Sequence, residues 1–190
     1  MAGDDSASGG PPPAPGRPFG GLTYGTPGAT LPQAPLWRET PPGFRRFETT
    51  VVIGRGEDAW ATARDAVARW EIKRRSGFAV APADGGGVRV RERGRYRITV
   101  GLGRFVVREP VEVVAVVDTE NRCGFAYGTH RGHPVSGEEA FIVHRDDDGR
   151  VHLTLRSLTR AAPAPPWRFL FPLLLLAQRC VRERYLRALT

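Results

Sequence analysis

The chain has 190 residues, 41% of them hydrophobic, and a formal net charge of +8. That size suits one domain with a tail and one proper core, and the longest apolar run, FLFPLLLLA at 169–177, would span roughly 14 Å as a helix, under half of a bilayer's hydrocarbon core, which excludes a transmembrane helix. The N-terminus has no basic start followed by an apolar stretch, so no secretion signal is read and the cytoplasm is the expected compartment.

Residues 1–22 are small, polar and rich in Pro and Gly. Such a stretch buries too little surface to offset its ordering entropy, so it reads as a disordered tail, with 23–190 as a single domain. TYGTPGATLPQAP, 23–35, is expected along the domain surface with Tyr24 and Leu31 as anchors. RRFETTVVIG, 45–54, alternates and is rich in β-branched residues, the pattern of a strand. EDAWATARDAVARW, 57–70, reads as a helix, with Glu57 and Asp58 placed well for its dipole and Trp60, Ala63, Val67 and Trp70 on one apolar face.

FAVAPA, 78–83, is a short strand. GVRVRERGRYRITVGLG, 87–103, reads as a longer one, with Arg89, Arg91, Arg93, Arg95 and Arg97 on one face and Val88, Val90, Tyr96, Ile98 and Val100 on the other. A ladder of like charges repels itself, so its face must be wet or paired with acids. It is read as an outward sheet face, with a phosphate-binding stripe as the alternative. RFVVREPVEVVAVVDT, 104–119, reads as two strands broken at Pro110, and RCGFAYGTH as a further strand. EEAFIVHR and RVHLTLRSL form a hairpin around DDDG. A left-handed Gly149 sets its register: Val143 faces Leu153, Phe141 faces Leu155, and Glu139 lies across from Ser157. Glu138 then takes the other face near Arg156 as a solvated pair, where His144 and His152 also oppose one another.

A last helix follows PAPPW and runs to about Leu189, either kinked at Pro172 or starting near Phe171. Its expected apolar face is Leu173, Leu174, Ala177, Cys180, Val181 and Tyr185, with Arg179, Arg182, Glu183 and Arg187 largely outside it. Cys123 and Cys180 are expected as reduced, buried thiols. One strand, a helical insertion, about six more antiparallel strands and a terminal helix make an α+β arrangement. This order resembles the helix-grip fold of the START and Bet v 1-like superfamily, which implies a curved sheet wrapped around that helix and an internal cavity.

The densest chemistry lies at 123–157. His130 and His133 with Glu138 and Glu139 match no strong metal spacing, so no metal site is read, and no cofactor. Ser136 sits in no nucleophile elbow, and Cys123 has only Arg122 nearby to lower its pKa. Glu139 is the stronger candidate, because a carboxylate on an apolar face must be paired, hydrogen-bonded or protonated.

The motif Gly124-Phe125-x-Tyr127-Gly128-Thr129, then Gly132-His133-Pro134, then Gly137-Glu138-Glu139-x-Phe141, resembles the domain-of-unknown-function family nineteen-ninety of bacteria and plants. Tyr24, Gly28 and Thr30 resemble that family's opening segment, and the likeness covers about residues 23–189. LTRAA at 158–162 departs from the family's usual Phe-Ser-Arg-Pro. The resemblance implies a family but no activity. Tyr127, Thr129, His133, Glu139, Phe141 and Ser157 are taken as pocket wall and rim. The first expectation is binding of a hydrophobic small molecule or lipid, with the basic helix flank docking on anionic membrane. The alternative is an enzyme using Glu139 or His133 as general acid or base. Nucleic-acid binding by the arginine ladder is the weaker alternative, since no compact basic cluster with interleaved aromatics appears.

Overall fold

A computed structural model of the chain describes residues 21–102 and 105–190. The expected tail lies outside the described residues up to position 20. The elements run β1 (Arg45–Arg55), α1 (Glu57–Ala68), α2 (Glu71–Arg75), β2 (Ala79–Pro82), β3 (Arg95–Leu102), β4 (Phe105–Asp118), β5 (Arg122–Thr129), β6 (Val135–Arg145), β7 (Arg150–Ala161) and α3 (Trp167–Arg187). The strands form one antiparallel sheet in the order β1-β7-β6-β5-β4-β3-β2. It is the α+β sheet and terminal helix expected.

The β6–β7 hairpin has the expected register, with Phe141 opposite Leu155, Glu139 opposite Ser157 and His144 opposite His152. Gly149 is left-handed, at φ 79°. Turn chemistry and side-chain parity agree there, so nothing tertiary is needed to place it.

Four expectations fail. Residues 87–94 are not strand: β3 starts only at Arg95, after a left-handed Arg93 (φ 57°). Arg89 instead pairs with Asp65, Arg91 with Asp84 and Arg95 with Glu112. The ladder is thus dispersed among acids, which removes the repulsion that a continuous stripe would carry. Second, β4 passes through Pro110 unbroken. The Pro110 carbonyl accepts from the His130 N–H at 3.0 Å. Its nitrogen turns to the same side, beyond the last β5 residue, Thr129, so Pro110 sits where the β4–β5 ladder ends.

Third, the helix expected over 57–70 stops at Ala68, and a second, unexpected one follows. α1 ends before Trp70, which is left-handed at φ 63° and opens the five-residue α2. Trp70 is buried against Tyr96, Phe125 and Tyr127, at ring distances of 4.8, 4.4 and 5.5 Å. This packing outweighs the 1–2 kcal/mol that a left-handed L-residue costs. Fourth, α3 takes the earlier of its two expected starts, at Trp167 with Pro172 inside it, but its expected apolar face does not all turn inward. Leu174, Val181 and Tyr185 turn inward, but Leu173 and Cys180 face solvent, so Cys180 is not a buried thiol. Cys123 is buried, and burial pushes its thiol up to about 11.

The inner sheet face carries the main core, covered by α1, α2 and the C-terminal end of α3: Trp60, Val67, Trp70, Phe125, Phe141, Leu155 and Tyr185. The outer face is small, built on Ala126, Ala140 and Ile142. Across it runs the segment 22–37, tethered by the Leu22–His130 bridge at one end and the buried Trp37 at the other.

Candidate functional site

The two adjacent glutamates of β6 point to opposite faces and hold different things. Glu138, 3% exposed, lies on the outer face. It accepts from the Tyr24 hydroxyl (2.8 Å), the Gly28 N–H (2.8 Å), the Thr30 N–H (2.9 Å) and the Thr30 hydroxyl. It is therefore no solvated pair with Arg156. Arg156 is itself buried, donating to Glu48 and to the carbonyls of Thr30, Leu31 and Pro35. The TYGTPGAT segment and the first glutamate of GEE are thus two halves of one strap. Gly128 belongs to it too: a Cβ there would collide with the Tyr24 hydroxyl oxygen. The side-chain-free position at Gly128 thus admits the N-terminal segment.

Glu139 lies on the inner face, paired directly across from Tyr127. Its carboxylate accepts from the Tyr127 hydroxyl and sits 3.2 Å from the Lys73 Nζ. Lys73 donates to the Tyr185 hydroxyl at 2.6 Å and lies 3.9 Å from Glu109. Phe78, Tyr127 and Tyr185 place ring faces 4.8–5.1 Å from the same ammonium, a cation–π enclosure. Burying an ammonium is costly without such partners. The break at Trp70 turns α2 so that Ile72 and Lys73 face inward while Glu71, Arg74 and Arg75 pair on the surface.

These groups form the polar end of a cavity of about 230 Å³ between the sheet and α3. Its walls are mostly apolar, with Val100, Val107, Leu174 and Val181 among them. Tyr127, Thr129, His133, Glu139 and Ser157 all line it. Phe141 lies behind that wall in the core, edge-on to Tyr185 at 5.2 Å. Thr129 is held by the Thr23 hydroxyl at 2.6 Å. Ser157 accepts from Arg182 at 2.7 Å.

His133 is buried, with its Nδ1 accepting from the Val135 N–H at 3.1 Å. Burial, then the Lys73 charge, lowers its pKa to about 3, so near neutral pH it is an uncharged imidazole. Burial raises the Glu109 carboxyl, against the pull of Lys73. Burial likewise raises both Tyr127 and Tyr185, with Glu139 adding to each, so both phenols stay protonated donors. Two buried polar atoms at this cavity, Gln178 Oε1 and Arg182 Nε, have no hydrogen-bond partner among the described residues.

Sequence reasoning missed Lys73, Glu109, Tyr185 and Arg182. One signal marked the first: Lys73 is the only lysine in a chain with 28 basic residues. Among the described residues there is no group of three or more metal-ligating side chains, and no helix is long and apolar enough to cross a membrane.

Comparison with known proteins places this architecture. The family described as Domain of unknown function (DUF1990) matches residues 23–188. A UPF0548 protein of Deinococcus radiodurans is 34% identical, over 83% of this chain and 86% of its own. Among solved structures, a hypothetical protein from Helicobacter pylori is similar at a TM-score of 0.52 and 15% identity, covering 77% of this chain and 84% of that one. Norcoclaurine synthase of Thalictrum, a helix-grip protein, is similar at 0.50 and 11% identity, covering 80% and 97%. The chain belongs to the DUF1990 family and has the Bet v 1-like helix-grip fold.

Proposed function

We propose that this DUF1990 member binds a hydrophobic small molecule or lipid in the cavity beneath α3, anchoring the ligand's one polar group at Lys73 and Tyr185. One observation carries this reading: an apolar-walled cavity ends on a buried ammonium ringed by aromatic faces. Few polar groups in a mostly apolar hollow is the usual build of a small-molecule site. At about 230 Å³ it falls below the usual ~300–1,000 Å³, so it suits a compact ligand or one that extends through the mouth. The Lys73 ammonium donates a hydrogen bond to the Tyr185 oxygen, which leaves the Tyr185 O–H free to donate to a ligand oxygen. Gln178 Oε1 and Arg182 Nε offer two more polar contacts.

Native mass spectrometry of the purified chain is expected to show a retained small molecule, released on denaturation. The apolar anionic dye 1-anilinonaphthalene-8-sulfonate is expected to bind the folded chain at one site. Lys73→Met removes the retained molecule, and the cavity-filling Val181→Trp blocks the dye. No retained molecule, together with dye binding unchanged by Val181→Trp, ends the proposal.

A second reading, catalysis in the same cavity, is favoured by the joined acid–base groups Tyr127, Glu139, Lys73 and Tyr185. Glu139 is the general base of this reading. His133, uncharged near neutral pH, supplies no acidic proton from an imidazolium. A Glu139→Gln variant that keeps the ligand but stops its conversion supports this reading, and an unaltered ligand in both proteins removes it.

A further inference from the structure

The side of α3 turned away from the cavity carries its own pattern. Phe169 is 78% exposed, Leu173 66% and Leu176 61%, with Leu170 at 38%. Positions 169, 173, 176 and 180 fall on one stripe of a 3.6-residue helix. Single exposed leucines are ordinary, but a contiguous stripe is not. Along the next strip of the helix run Arg168, Leu175, Arg179 and Arg182, spaced by seven, four and three residues. From Trp167 to Arg182 the helix holds no acid.

A second cleft, of about 330 Å³, opens on this flank between α3 and β1. Arg45, Arg46, Arg179 and Arg182 line it over an apolar floor of Phe47, Pro172, Leu175 and Leu176. Arg46 is held by Glu48, and Arg182 by Ser157 over the Phe47 ring at 4.0 Å. Arg45 and Arg179 are exposed and in no ion pair among the described residues.

We propose that this face of α3 docks on an anionic lipid bilayer, with Phe169, Leu173 and Leu176 entering the acyl boundary and Arg45, Arg168 and Arg179 meeting the phosphates. The charge selects this occupant. An apolar stripe flanked by guanidiniums and free of acids fits a surface that is apolar below and negative above. A second copy of the same face would bring these arginines against themselves. α3 lies in the interfacial plane, since its apolar run is too short to span. Arg182 borders both hollows, but the docking side chains Phe169, Leu173, Leu176, Arg168 and Arg179 point outward, whereas Leu174, Val181 and Tyr185 of the same helix point in.

The test is co-sedimentation of the full chain with phosphatidylcholine vesicles, alone or with phosphatidylglycerol at about a third of the lipid. Binding is expected to be strong on the mixed vesicles and weak but measurable on the neutral ones, and only the former is expected to weaken with salt. Each of Arg168→Gln and Arg179→Gln should weaken it about fivefold on anionic vesicles and hardly at all on neutral ones. Leu173→Ser/Leu176→Ser should weaken it at least tenfold on both. These positions are exposed, so the variants keep the wild-type melting temperature. Wild-type chain that stays in the supernatant with all vesicles overturns the proposal. So does a dimer that Leu173→Ser/Leu176→Ser dissociates, because a second copy then covers the face. Lys73→Met separates the two sites: it should lose any cavity ligand and keep vesicle binding.

Discussion

At the scale of single residues, neighbours in sequence carry different duties. Glu138 satisfies four donors of the strap, and its loss leaves buried N–H and O–H groups unpaired. Glu138→Ala should therefore cost about 3 kcal/mol or more, measured by urea unfolding. Side-chain parity on β6 put the two on opposite faces from sequence alone. What parity did not tell was that the outer face is covered, because the partners of Glu138 lie 108–114 residues away. Protonation separates residues too. His133 titrates near 3 in the fold against an ordinary 6.5, so the unfolded chain takes up a proton that the folded chain refuses. The associated stability is whole above about pH 6.5 and drains as pH falls toward 3. Half-buried His144, lowered to about 4 chiefly by burial, adds to the same slope. Glu109 has the opposite sign, because its raised carboxyl makes the folded chain hold a proton that the unfolded chain gives up. Urea midpoints measured from pH 7 to 4.5 should fall less steeply in His133→Gln and more steeply in Glu109→Gln; a His133→Gln slope equal to wild type would contradict the assignment.

At the scale of elements, local rules succeeded where the element closes on itself. β1, α1 and the β6–β7 hairpin follow from alternation, helical spacing and a glycine-ended turn. They failed where distant packing decides. Four of the five residues of α2 are charged, and only the distant partners Glu109, Glu139 and Tyr185 explain why Lys73 turns in. The arginine-rich stretch has strand parity in sequence, yet acids on α1, near β2 and on β4 draw its members apart. The helical spacing of apolar residues in α3 implies a broad buried face. A helix standing off the sheet across a cavity has less to bury, and Leu173 and Cys180 face out instead. The strap and sheet make a testable joint at Gly128. An added methyl meets the Tyr24 ring and hydroxyl, so Gly128→Ala should lower stability by roughly 1–3 kcal/mol. Pairing it with Tyr24→Leu should recover part of that loss, which a double-mutant cycle reads directly.

At the scale of the whole molecule, strand order and the final helix were enough to reach the fold, because consecutive antiparallel strands joined by short turns leave few alternatives. The inner wall of the cavity was legible in part for the same reason: Tyr127, Glu139 and Ser157 follow from register. Its floor was not, since Lys73 and Glu109 arrive from α2 and β4 through a curvature that no local pattern encodes. The lone lysine has a practical consequence. Besides the α-amino group, an amine-directed acylating reagent has one target in this chain, and that target sits behind Tyr127, Tyr185 and Phe78. The rate at which it is tagged becomes a stopwatch for the opening of the chamber, readable by peptide mapping without any knowledge of what enters.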